Sequence, residues 1–241
     1  MLFSMINRDR RYSYEFVKVI LQTLNPVDKL LFIKKQVGDS AGLFAVACKN
    51  VETFGLILQS LSSDDRLKLL QTKEGSGTST LHRVTILPDQ VITEMILKSD
   101  NEKGRQVLLS IQEDMFKYTP IHLACYYKNT EVLAAMIRLT TEDTWYKLLQ
   151  IPGYHGNTPL HTSSFLGNTH EVLKSLANSV TAERLIHLLR TTNNDGDTPL
   201  QYAKQWREQA AAELLQDYLT KALINVALQQ TEEAGADIGL H

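Results

Sequence analysis

Three histidines, His82, His122 and His161, recur in closely similar local settings in this 241-residue chain and are the first residues to invite a catalytic or metal-binding reading. A histidine serves as acid, base or ligand only where a partner group lies within reach. Cys125 stands three residues after His122, a spacing at which two side chains approach each other on a helix, so a thiol nucleophile with an imidazole base is the sharpest chemistry on offer. Against it, Cys125 occupies a slot held by Ser164 and Lys204 in equivalent segments, read as a small, buried position, and Cys48 has no histidine near it. The chain carries no G-x-x-x-x-G-K-[ST], no G-x-G-x-x-G after a strand, no H-E-x-x-H and no G-x-S-x-G. Gly75-Ser-Gly77 has two glycines in common with a phosphate loop and nothing more. The expectation is a non-enzyme with no catalytic residues, no metal and no cofactor.

The elements that hold these histidines repeat. The stretch 153 to 178, GYHGNTPLHTSSFLGNTHEVLKSLAN, has close counterparts one unit earlier, at Thr119-Pro120-Ile121-His122, and one unit later, at Thr198-Pro199-Leu200-Gln201. An independent marker agrees: the pairs Leu30-Leu31, Leu69-Leu70, Leu108-Leu109, Leu148-Leu149 and Leu188-Leu189 recur at intervals of 39, 39, 40 and 40 residues. A fixed period of that size means stacked units, none of which buries its apolar face alone. Each unit reads as three helices. The first opens at Thr-Pro, where proline's missing N–H costs nothing. The second places Val132, Leu133, Met136 and Ile137, or Val172, Leu173, Leu176 and Ala177, at helical spacing. The third follows a capping residue and acids, as at Ser62 to Asp65, Thr140 to Asp143 and Thr181 to Glu183, and runs into the Leu-Leu pair; Asn25-Pro26 plays this part first.

The T-P-L-H word resembles the signature of ankyrin repeats. The match is strongest at 119–137 and 158–177, good at 198–215 with Gln201 in place of His, degraded at Ser79-Thr80-Leu81-His82, and inferred around Gly42 to Leu58. The resemblance implies an all-α ankyrin-repeat solenoid with extended repeats of about 39–40 residues carrying an additional short helix. The expected divisions are a helical cap at 1–35, a degenerate repeat at 36–73, repeats at 74–113, 114–152 and 153–192, a C-terminal repeat with its capping helix at 193–230, and a flexible tail at 231–241. It further implies that the recurring histidines bond their own and neighbouring turns. Long units with L-L-x-[IT] before the turn look like those of ankyrin-repeat type IV secretion effectors of intracellular bacteria, the Legionella type, which act on a host protein in the host cytoplasm; a eukaryotic-type cytosolic adaptor, or a regulatory subunit of an enzyme supplied by another chain, is the alternative.

In ankyrin arrays, the resemblance implies, partners are bound by the turn tips and the exposed face of the first helices. Those groove positions fall on Ile86 and Leu87, Tyr126 and Tyr127, Phe165 and Leu166, and Gln205 and Trp206; the tips fall on Phe116 and Tyr118, Tyr154 and His155, and Asp195 and Asp197. Aromatic residues bring large contact area at low entropy cost and dominate interface hot spots. An aromatic groove bordered by Asp195 and Asp197 suits an apolar segment with a basic flank. The alternative is that the added helices cover these side chains.

Composition sets the remaining bounds. A chain 43% hydrophobic and 22% charged, with six prolines and twelve glycines, is ordinary for a packed, water-soluble protein. Net charge of −2 gives no pull toward nucleic acid or anionic membrane. Charge is uneven: residues 1–35 carry seven Lys/Arg against three Asp/Glu, and 193–241 carry three against eight, which leaves end-to-end self-association open against the expected monomer. Two distant cysteines make no disulfide framework and fit a reducing, cytoplasmic compartment. The start, MLFSMINRDRR, makes a poor secretory signal, and no apolar run approaches membrane-spanning length. The implied partner is another protein.

Overall fold

The computed structural model describes residues 10–38, 43, 45, 47–48, 50–87, 89–165 and 170–238. Among them the protein is an all-α, ankyrin-like repeat solenoid. Two helices come first, α1 (Arg10–Thr23) and α2 (Pro26–Val37), followed by α3 (Val51–Ser60) and α4 (Ser63–Leu70). Three full triplets follow: α5 (Thr80–Ile86), α6 (Gln90–Lys98) and α7 (Glu102–Ser110); α8 (Pro120–Tyr126), α9 (Thr130–Arg138) and α10 (Glu142–Leu148); α11 (Pro159–Ser164), α12 (His170–Ala177) and α13 (Ala182–Arg190). The chain closes with α14 (Pro199–Gln205) and the 30-residue α15 (Gln209–Ile238).

Like packs on like. The first helices α5, α8, α11 and α14 stack in a column, the second helices α6, α9, α12 and α15 in another, and the third helices α4, α7 and α10 in a third. One apolar interior runs between them, and all eight leucines of the pairs from Leu69-Leu70 to Leu188-Leu189 are buried in it. The first pair differs. Leu31 is 64% exposed.

Polar ladders tie each unit to the next. In the third column the residue that opens one helix serves the N-terminus of the following one: Glu102 accepts from the Thr141 N–H and hydroxyl, both at 2.9 Å, and Glu142 accepts from the Thr181 N–H at 3.0 Å. A carboxylate there supplies the acceptor that a helix start lacks and opposes its dipole. Ala182 opens α13 and ends the ladder, and there α15 folds across α12, α13 and α14 in its place.

The last helix, α15, runs on past residue 230 to Ile238. Nothing in Thr231-Glu-Glu-Ala-Gly-Ala-Asp interrupts it: the segment has no proline, and its single glycine is tolerated inside a helix that is already nucleated.

Candidate functional site

The histidines are set by capping. Thr119, in extended conformation, is the N-cap of α8, and His122 at the third helical position turns its imidazole back over it. His122 Nδ1 accepts from the Thr119 N–H at 3.2 Å and lies 2.8 Å from the Thr119 hydroxyl, while Nε2–H donates to the Asn157 carbonyl of the next turn at 3.0 Å. A backbone N–H only donates and a carbonyl only accepts, so the neutral Nε2–H tautomer is the one that satisfies both. His82 does the same with Ser79 and the Tyr118 carbonyl (3.0 Å), and His161 with Thr158 and the Asp197 carbonyl (2.9 Å). Burial pushes His82 and His122 down to about 4 and lowers His161 as well. Gln201 keeps half the arrangement: its Oε1 accepts from the Thr198 N–H at 2.8 Å. Every ring nitrogen of the three histidines is committed to the backbone, which leaves none for proton transfer or a metal.

Cys125 is fully buried and its thiol is pushed far up by that burial, the reverse of an activated nucleophile. Among the described residues no group of three or more His, Cys, Asp or Glu is placed to hold a metal ion. None of their helices is long and apolar enough to cross a membrane.

What converges is aromatic. Ring contacts run without a break from Phe116 to Tyr118 (5.8 Å between centroids), Tyr118 to Tyr126 (6.3 Å), Tyr126 to Phe165 (6.5 Å) and Phe165 to Trp206 (5.7 Å), crossing three units. Tyr154 meets Phe116 edge-on at 5.5 Å, and Tyr127 meets Tyr126 at 5.2 Å. These separations are those at which aromatic pairs attract. Phe116, Tyr126, Tyr127, Tyr154 and Trp206 remain exposed, Tyr127 at 46% and Trp206 at 57%. Phe165 is half-buried; Leu87 is exposed and Ile86 half-buried, one unit before the tyrosines. Leu166 lies outside the described residues.

Two expected positions take other parts. Tyr118 is buried, with 8% of its surface exposed, and does not stand at an open tip. Its ring lies flat on His122, 5.3 Å between centroids and 3° from parallel, in space that Gly153 leaves: a Cβ there would sit 2.7 Å from Tyr118 Cδ1. Asp197 is half-buried, its carboxylate held by Gln205 Nε2 at 2.6 Å and its carbonyl by His161, so it braces the last turn.

Beside that turn, Tyr154, His155, Asp195, Gln205 and Trp206 line one cleft of about 520 Å³ together with Tyr202. Tyr202 was missing from the sequence expectations. It sits at the x of T-P-L-H-x-A, where Leu123 and Thr162 face inward in the earlier units, and a large aromatic residue in that slot was the available signal. Its ring lies 5.6 Å from Phe165 and 6.1 Å from Trp206, and its hydroxyl accepts from Asn157 Nδ2 at 3.1 Å. A larger cleft, about 640 Å³, opens between α3 and α6 around Gly55, Val91 and Met95, on helices that contribute nothing to the aromatic row.

With this geometry in view, comparison with known proteins adds one relative. The chain is similar to NF-kappa-B inhibitor alpha of Homo sapiens. Identity is 28% over 127 residues, 53% of this chain and 37% of that protein, so the match spans little more than a third of the relative's length. The relative is an ankyrin-repeat protein, in accord with the Thr-Pro-x-His caps and stacked helices. No family model matches the chain.

Proposed function

We propose that this protein is a non-enzymatic binding module that holds a partner protein in the groove formed by the turn tips and the exposed face of α8, α11 and α14. The observation that carries this reading is the row of exposed aromatic side chains, Phe116, Tyr126, Tyr127, Tyr154 and Trp206, joined through Phe165 across successive units. A solvated face has no need of them, and contiguous exposed apolar surface marks interaction sites. The ankyrin-repeat relative supports the same class of function. The protein acts as a monomer in the cytoplasm, and the groove takes an apolar segment with a basic flank. The repeat-end word Leu-Leu-x-Ile or Leu-Leu-x-Thr favours an effector of intracellular bacteria working on a host protein; the human relative favours a eukaryotic-type adaptor.

The test is a variant carrying Tyr127→Ser, Phe165→Ser and Trp206→Ser, compared with the parent in capture from human cell lysate and then with each purified partner. Hot-spot aromatics contribute about 2 kcal/mol or more apiece, so affinity should fall at least about a hundredfold. A folded variant that keeps every partner of the parent refutes the assignment.

A further inference from the structure

The cleft at the last turn has a composition that the rest of the aromatic row lacks. Tyr154, Tyr202 and Trp206 give it aromatic walls, no lysine or arginine lines it, and Asp195 stands exposed on its rim. The two acids of this turn differ. Asp197 is engaged by Gln205, whereas the Asp195 backbone N–H is satisfied by Asn193 Oδ1 at 3.1 Å and its carboxylate enters no hydrogen bond or ion pair among the described residues. Gln205, being tied to Asp197, offers a fixed wall.

Aromatic faces attract cations through their quadrupoles, and an unengaged carboxylate fixes where the charge sits. Cations differ in what they require. A lysine ammonium is compact and strongly hydrated and has no flat face to lay against a ring, so aromatic walls with one carboxylate on the rim replace little of its water. A guanidinium is planar and weakly hydrated, stacks on aromatic rings, and meets a carboxylate with two parallel N–H groups. We infer that the cleft is an arginine pocket: the guanidinium of a partner arginine lies against the rings of Tyr154, Tyr202 and Trp206 with its fork on Asp195. This rests on the interaction-module reading and names the basic anchor of the bound segment.

The two tryptophans make the pocket observable. In a spectrum of the ¹⁵N-labelled protein, the indole N–H of Trp206 reports the cleft. That of Trp145, buried and donating to Ser179 Oγ at 2.7 Å, reports the fold. The protein is titrated with Nα-acetyl-arginine methylamide, with its neutral citrulline counterpart and with its lysine counterpart. The arginine probe is expected to shift the Trp206 signal saturably in the millimolar range and leave Trp145 in place, with citrulline and lysine at least about fivefold weaker. Asp195→Asn, on the exposed turn, should weaken arginine about threefold or more without moving Trp145. No saturable shift, or citrulline or lysine binding as well as arginine, or an Asp195→Asn protein that binds unchanged, overturns the assignment. Failure here with loss of partners in the Tyr127, Phe165, Trp206 variant sinks the arginine pocket alone. Arginine binding with no partner lost sinks the broader reading alone.

Discussion

Lowering the pH from 7 to 5 should destabilise the array through the same histidines that hold its turns. His82 and His122 are buried neutral, and burial brings both from 6.5 down to about 4. Their folded values lie below their unfolded ones, so below pH 6.5 the unfolded chain binds protons that the folded chain refuses. Stability is therefore full above the unfolded value and is lost as the pH falls toward the folded one. At pH 5 the gap covers about 1.5 pH units, or about 2 kcal/mol for each histidine at 1.36 kcal/mol per unit, hence about 4 kcal/mol for the pair. His161 shifts in the same direction and adds to the loss. Glu94 does not intrude in this window: Lys98, Gln90 and Arg138 hold it at about 2, so its contribution is lost only at more acid pH.

Urea unfolding followed by far-UV circular dichroism at half-unit steps from pH 7.5 to 5 measures the slope. Gln201 supplies the informative control, because it shows that glutamine fills this slot and caps its threonine without titrating. His122→Gln gives up the bond to the Asn157 carbonyl and should cost about 1–2 kcal/mol at pH 7, while cutting the loss between pH 7 and 5 by about 2 kcal/mol. A parent protein equally stable at pH 7 and 5, or a His122→Gln protein with the parent's slope, refutes the reasoning.

The turns offer a matched pair of substitutions. Lys117 has φ of 55°, in the left-handed region that Gly77, Gly156 and Gly196 occupy in the turns of the other units, so Lys117→Gly should stabilise by about 0.5–1 kcal/mol in thermal unfolding. Gly153→Ala should destabilise by about 1–3 kcal/mol, since its Cβ would meet Tyr118 at 2.7 Å and His122 Nε2 at 3.1 Å; a neutral result would mean that Tyr118 is not seated there. A thiol reagent should modify Cys48, which is exposed, and reach the buried Cys125 only on unfolding; two equally fast thiols would contradict the packing of α8.

Much of the architecture is legible because its determinants are local and recur. A threonine N-cap, a proline at the first helical position and a histidine two residues later specify α8 and α11 within four residues, and the Leu-Leu pairs give the period independently. The groove is less legible, since exposure depends on what the next unit presents. Tyr118 reads as a tip residue, and only the missing side chain of Gly153, 35 positions later, shows why it turns inward. Tyr202 hides in a motif slot read as variable. Lys117 reads as an unremarkable turn residue, and the positive φ it shares with three glycines emerges only from the backbone.

If the groove binds as proposed, the histidine column bears on binding as well as on folding. Each imidazole fastens the cap of its own helix to a carbonyl in the following turn, so buried, charge-neutral hydrogen bonds hold the spacing between successive tips, joined at the first of them by the exposed ion pair of Lys73 and Asp114 at 2.9 Å. The last turn has further braces, Asn193 Nδ2 to Asn157 Oδ1 at 2.9 Å and the Asn194 N–H to the His155 carbonyl at 3.0 Å, and it is this turn that carries Asp195 beside Tyr154, His155 and Trp206. A partner meeting that surface need not order it first. Exposed aromatics yield affinity in proportion to how little ordering they require on contact, and loops without such braces would lose much of the gain to immobilisation. The aromatic row begins at Phe116 and ends at Trp206, within the span where His122 and His161 join one turn to the next. On the proposed reading, the device that makes the units stack also holds the groove in the shape it presents to a partner.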